Sequence, residues 1–161
     1  MLIREYTDAD WPSIWLIFQE VTAAGDTFAY DPGWSSETAR EVWVQYPPGH
    51  TVVALDGAVV LGTAHVEPNR PGPGSHVATA SFMVSGEARG RGVGRELGEY
   101  AISWARDRGY AAMQFNAVVE SNHAAVKLWQ ELGFRIIGTV PEAFEHPELG
   151  RVGLHVMHRY L

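Results

Sequence analysis

The sequence predicts an α+β domain, a mixed sheet with helices on both faces. Two observations carry that expectation. Segments rich in β-branched and aromatic residues alternate with segments whose apolar residues recur at helical spacing. Several of the strands are also joined by short Gly/Pro turns. At 161 residues, 46% of them hydrophobic, the chain can fill a core without staples and is expected to be one domain spanning 1–161.

Each element follows in order. Leu2 to Tyr6 reads as a first strand. Thr7 or Asp8 is the expected cap of a first helix, near whose start Pro12 is tolerated. Trp11, Ile14, Trp15, Phe18 and Val21 form its buried stripe, and Gly25 ends it. Residues 26–34 form a loop. Ser35 or Ser36 then caps a second helix reaching about Tyr46, where Pro47-Pro48-Gly49 stops it. Thr51–Leu55 and Val59–Val66 flank Asp56-Gly57-Ala58, a hairpin signal. Residues 69–74 form an exposed turn, and His76 to Val84 a central strand. Val93, Leu97, Ala101 and Trp104 stripe a third helix that ends near Arg108-Gly109. Tyr110–Val118 is a strand, and Ser121–Leu132 a helix capped by Ser121 or Asn122 and broken at Gly133. Phe134–Val140 and Val152–Tyr160 are the last strands, with residues 141–151 expected as a polar loop. The expected order is β-α-α-β-β-β-α-β-α-β-β.

Composition narrows the function. The chain has no cysteine, which removes disulfides, zinc-thiolate sites and a cysteine acyl-enzyme. No apolar run approaches membrane-spanning length, and the first residues do not read as a signal peptide, so a cytoplasmic location without membrane partners is expected. A net charge of −7 does not favour nucleic acid. Six of the seven histidines, His65, His76, His123, His146, His155 and His158, show no metal-ligand spacing, and no metal is expected.

The most informative stretch is Val84-Ser85-Gly86-Glu87-Ala88-Arg89-Gly90-Arg91-Gly92-Val93-Gly94-Arg95, where a strand runs into alternating glycines and a helix begins at once. Alternate glycines let backbone N–H groups press against an anion, and the first turn of a helix adds more. A pyrophosphate fits that description. The stretch lacks the Lys-Ser/Thr of a P-loop, and no reading completes the dinucleotide fingerprint. Downstream, Phe115-Asn116 is followed by Glu120-Ser121-Asn122-His123-Ala124-Ala125 and by Leu128-Trp129-Gln130-Glu131-Leu132-Gly133-Phe134.

Arg89-x-x-Gly92-x-Gly94 and this second constellation together resemble the two signatures of the GCN5-related N-acetyltransferase superfamily. The resemblance implies a three-layer α/β/α fold whose mostly antiparallel sheet contains one splayed parallel pair. It implies acetyl-CoA as cosubstrate. Pyrophosphate would meet Arg89, Gly90, Arg91, Gly92, Val93, Gly94 and Arg95; pantetheine would pair with the backbone of Phe82, Met83 and Val84; Asn122 would be a further cofactor contact or a plain helix cap. Trp129 stands where many members carry a tyrosine that protonates the leaving thiolate, a role indole cannot fill. Thr79-Ala80-Ser81 offers no carboxylate where many relatives place a base.

With no cysteine and no nucleophile elbow, direct transfer to an amine is expected. Strand alternation puts Met113, Phe115 and Ala117 on one face and Gln114, Asn116 and Val118 on the other, and Asn116, a polar residue in an apolar strand, is expected to hold the acceptor. Residues 113–119, Gly138–Phe144 and His146-Pro147 resemble the azetidine-2-carboxylate acetyltransferase group, which acetylates small cyclic or toxic amino acids. Phe28 and Tyr30 would be walls of the acceptor pocket and His146 its border, while His155 is a candidate for proton transfer. Other acceptors stay open: phosphinothricin, a polyamine, an aminoglycoside or a protein N-terminus. So does a non-catalytic acyl-CoA sensor. A homodimer through the last strands is compatible with such a fold.

Overall fold

In the computed structural model, which describes residues 1–161, the chain runs β1 (Leu2–Glu5), α1 (Trp11–Ala24), α2 (Ser36–Trp43), β2 (His50–Asp56), β3 (Val59–Pro68) and β4 (Val77–Val84). It continues through α3 (Val93–Asp107), β5 (Ala112–Val119), α4 (His123–Glu131), β6 (Arg135–His146) and β7 (Gly150–Tyr160). The seven strands make one sheet in the order β1-β2-β3-β4-β5-β7-β6, antiparallel throughout except for β4 and β5. No helix is long and apolar enough to cross a membrane.

Strand alternation assigns the two faces. On one, α1 and α2 lay Ile14, Phe18 and Trp43 against Val53, Leu55 and Met83. On the other, α3 and α4 lay Ala101, Trp104 and Trp129 against Val66, Ala78, Ala80, Met113, Phe115 and Met157. Helix α3 lies close enough to α4 that a Cβ on Gly98 would stand 2.9 Å from Trp129 and Leu132, so glycine is required there.

The feature that positions the site is a short ladder. β4 and β5 pair only at Val77–Ala112 and Ala78–Met113, and then diverge. Beyond that point the β5-facing edge of Thr79–Val84 has no strand partner. The indole of Trp129 fills the base of the wedge, with ring centroids 4.7 Å from Phe82 and 4.9 Å from Phe115.

The structure corrects four expectations. Thr7 caps a turn of 3-10 helix at Asp8–Asp10 that leads into α1, so the N-cap of α1 itself falls at Asp10. The Asp10 carboxylate accepts from the Thr7 amide at 2.7 Å and from both terminal nitrogens of Arg4 at 2.8 Å. Helix α2 stops at Trp43, before the prolines, because Val44 is already extended. Residues 141–151 are not a loop: β6 runs to His146 as a polar edge strand, absorbing Pro141 in a register shift between Val140 and Phe144. Finally, a bulge in β5 between Phe115 and Val118 returns Val118 to the Met113–Phe115 face.

Candidate active site

The phosphate-directed end is built from backbone. Gly90 and Gly92 have φ of 76° and 82°, left-handed values that favour glycine and turn the chain into α3. None of the loop and cap hydrogen bonds engages the amides of Gly90, Gly92, Val93, Gly94 or Arg95. These amides cluster at the positive end of a 15-residue helix, which suits an anion. The Gly86 amide is already taken, donating to Glu20 of α1 at 2.9 Å. Arg89 is exposed and has no acid partner, whereas Arg91 pairs with Asp56 at 2.8 Å and Arg95 with Glu131 and Glu99.

Phe82, Met83 and Val84 lie on the unpaired edge, as a pantetheine would require. Their side chains are otherwise used: Phe82 in the wedge, Met83 buried against α1 and α2, Val84 packed near Gly94. Asn122 caps α4, its side-chain oxygen accepting from Ala125 at 3.2 Å, which leaves its amide nitrogen to donate. The residues present therefore suit acetyl-CoA: free amides and Arg89 for phosphate, an open strand edge for the pantetheine amides.

On the α1/α2 face of the sheet a row of polar side chains stands beside this wedge. Thr63, His65, Glu67 and Asn69 follow one another at every second position along β3 and its exit. Thr63 takes the indole N–H of Trp43 at 3.1 Å, and His65 meets the same indole edge-on at 4.7 Å. His65 is 4% exposed, and neither ring nitrogen has a hydrogen-bond partner. Burial pushes its pKa down to about 4, so the ring is neutral. Asn69 accepts from the Asn116 side-chain amide at 2.7 Å, and Asn116 accepts from Gln114 at 2.9 Å. β3 with its exit, and β5, thus contribute to one surface.

Aromatic residues wall it. Phe28 stacks on Tyr30 at 5.3 Å and meets Trp43 edge-on, while Tyr30 stacks on Phe18 at 5.5 Å. The loop is anchored on the core, not held off it. Burial, and to a lesser extent the Glu67 carboxylate, raises the Tyr30 pKa. Burial likewise raises the pKa of Glu67.

Two further candidates lie apart from Asn116. His155 sits opposite Val118 in the ladder, on the Met157 face, and shares a 2.7 Å hydrogen bond with Thr139. The structure does not bring it to Asn116, because the β5 bulge keeps Val118 and its partner on the far face. His146 forms the β6–β7 turn, its Nδ1 accepting from the Glu148 and Leu149 amides at 3.1 and 3.2 Å. That turn occupies the sheet end where β5 finishes, two strands away.

The comparisons with known proteins agree with this geometry. Residues 11–134 match the Acetyltransferase (GNAT) family. The chain belongs to that family. It is similar to a GCN5-related N-acetyltransferase from Kribbella flavida of solved structure: 59% identical, 99% of this chain and 97% of that one covered, TM-score 0.96. It is 32% identical to the L-methionine sulfoximine/L-methionine sulfone acetyltransferase of Pseudomonas paraeruginosa, over 87% of this chain and 83% of that protein. It is 33% identical to N-acetyltransferase aca1 of Schizosaccharomyces pombe, but over 52% of this chain, and it spans only 40% of that protein's length.

The sequence singles out Asn116 but not its hydrogen-bond partners Asn69 and Gln114, nor Glu67 and His65 on the same polar row. The signal was present in β3, where polar residues recur at every second position through Asn69. Only the cross-strand register turns that alternation into a site.

Proposed function

We propose that this protein is an acetyl-CoA-dependent N-acetyltransferase whose acceptor is the amine of a small amino acid or close analogue. The observation that carries the reading is the placement of two surfaces on either side of one wedge. The unpaired edge of β4 leads to the free amides of the glycine loop; the polar row Glu67, Asn69, Asn116 and Gln114 opens onto the same sheet.

Acetyl-CoA bound along that edge supplies an activated thioester. Arg89 and the loop amides hold its phosphates, and Asn122 reaches it from α4. Trp129, buried at 7% exposure, supports the wedge and moves no proton. Asn116, tied to Asn69 and Gln114, holds the acceptor in orientation, and Phe28 with Tyr30 limits its size. Arg70, exposed one residue beyond Asn69, offers a positive charge for an acceptor carboxylate. The amino-acid class is supported by the printed activity of the Pseudomonas relative. A cyclic imino acid such as azetidine-2-carboxylate is the finer expectation, from the resemblance of the C-terminal half.

The test follows free thiol released from acetyl-CoA against azetidine-2-carboxylate, proline analogues, methionine sulfoximine, phosphinothricin and polyamines, with products identified by mass. Turnover on an amino acid supports the reading. Tight cofactor binding with no thiol release on any amine would instead point to an acyl-CoA sensor.

A further inference from the structure

The central strand presents Thr79 and Ser81 where the family resemblance implies a carboxylate base. Directly across the β3–β4 ladder from Thr79 stands Glu67, and from Ser81 stands His65. Antiparallel partners share a face, so the Glu67 side chain occupies the same surface that a carboxylate at position 79 would use. It is half-buried and lacks an Arg or Lys partner; its one close charged-group neighbour is His65 Nδ1 at 3.8 Å. The titratable groups facing it are that neutral imidazole on its own strand and Tyr30 from the α1–α2 loop. β4 and β5 present only Thr79, Ser81, Gln114 and Asn116, and Gly49 approaches its Cβ from the side of β2. An anionic side chain without a cation, walled by aromatic rings and two residues from the Asn69–Asn116 pair, is a seat for a cationic ligand.

Resting on the acetyl-transfer reading, we propose that Glu67 is the counter-ion and general base for the acceptor amine, supplied by β3 in place of a carboxylate on β4. The acceptor enters as an ammonium. One N–H proton passes to the Glu67 carboxylate. The freed lone pair forms the C–N bond at the acetyl carbonyl carbon, and the C–S bond breaks with its electron pair left on sulfur. The second nitrogen proton is lost as the adduct collapses and ends on the coenzyme A thiol, while Glu67 returns its proton to water. Ammonium and acetyl-CoA thus give amide, thiol and one proton. The burial that raises the Glu67 pKa strengthens it as a proton acceptor. His65, held neutral, does not compete with the ammonium for its charge.

The experiment compares kcat/KM against pH for the wild type, Glu67→Gln, Glu67→Asp and the double variant Glu67→Gln/Thr79→Glu, on an amine that the wild type acetylates. Glu67→Gln is expected to lose about 100-fold at neutral pH. The deficit shrinks as pH approaches the amine's own pKa, where the acceptor arrives already neutral. Glu67→Asp recovers part of the rate, and Thr79→Glu recovers at least about tenfold of what Glu67→Gln lost. Coenzyme A affinity stays unchanged throughout, which separates the effect from misfolding. Glu67→Gln within about threefold of wild type at every pH, or a deficit constant with pH, overturns the proposal while leaving acetyl transfer intact. A wild type silent on every amine overturns the functional reading itself.

Discussion

The two halves of the site are built by different means. The phosphate-directed half uses backbone: left-handed glycines, the opening amides of α3 and an unpaired strand edge, nearly all within residues 77–95. The acceptor half uses side chains from β3, β5 and the α1–α2 loop, residues 28 to 116, brought together by register. A backbone site is local in sequence and tolerant of the side chains around it. A side-chain site is long-range, and single substitutions should change what it accepts. Between them lies an apolar wedge on which both depend.

Breaking the wedge should have the largest effect. Trp129 packs against Phe82, Phe115 and Phe134, and Trp129→Ala is expected to cost about 3–5 kcal/mol of stability, read from a denaturant melt. Both halves fail together in that variant. Trp129→Phe keeps a ring in place and should retain turnover within about threefold, because the indole moves no proton. A tenfold fall in kcat at unchanged stability would show that the indole N–H takes part in the chemistry.

The acceptor half carries a pH signature that the phosphate half lacks. His65 has a folded pKa of about 4 against an ordinary 6.5. A depressed histidine contributes its full stability above pH 6.5 and loses it between 6.5 and 4, where the unfolded chain binds a proton that the folded chain refuses. The loss should approach about 3 kcal/mol at pH 4. Urea melts of wild type and His65→Gln at pH 7 and pH 4.5 isolate the effect: the variant should show the shallower decline. Equal slopes would mean that the ring finds a proton-bound partner on local opening.

The same contrast explains what could be read from the chain. The order of all eleven helices and strands, and the glycine loop, were legible because hydrophobic period and left-handed glycines act locally; Gly90, Gly92 and the Leu132-Gly133-Phe134 break each sit within one turn. Asn116 stood out as an amide in an apolar strand. Glu67 did not, since a glutamate near a strand end reads as solvated until the ladder sets it opposite Thr79. The face of Val118 depended on a bulge, and the length of β6 on an edge strand's tolerance of Pro141; period counting detects neither.

Asn116→Ala should separate the halves more cleanly. It removes the link between Gln114 and Asn69 without touching the glycine loop. The expected loss in kcat/KM for the acceptor is about 10–30-fold, the cost of losing one amide's hydrogen bonds to the acceptor, with the KM for acetyl-CoA unchanged. A matching rise in the acetyl-CoA KM would place Asn116 in the cofactor half instead.

The smallest effects belong to the arginines, and their order discriminates. Arg89 stands exposed and unpaired, so its charge is available to a phosphate at no cost of rearrangement. Arg91 must first release Asp56, and Arg95 must release Glu131. Arg89→Ala should therefore raise the Kd for coenzyme A about fivefold at low salt, and Arg91→Ala about twofold, both shrinking as salt screens the contact. Neither should alter kcat. Isothermal titration at two ionic strengths reads the ranking directly. If Arg91→Ala proved the more damaging, the loop would have to rearrange on binding, exchanging the Asp56 contact for phosphate. The backbone half would then be less preformed than its geometry implies.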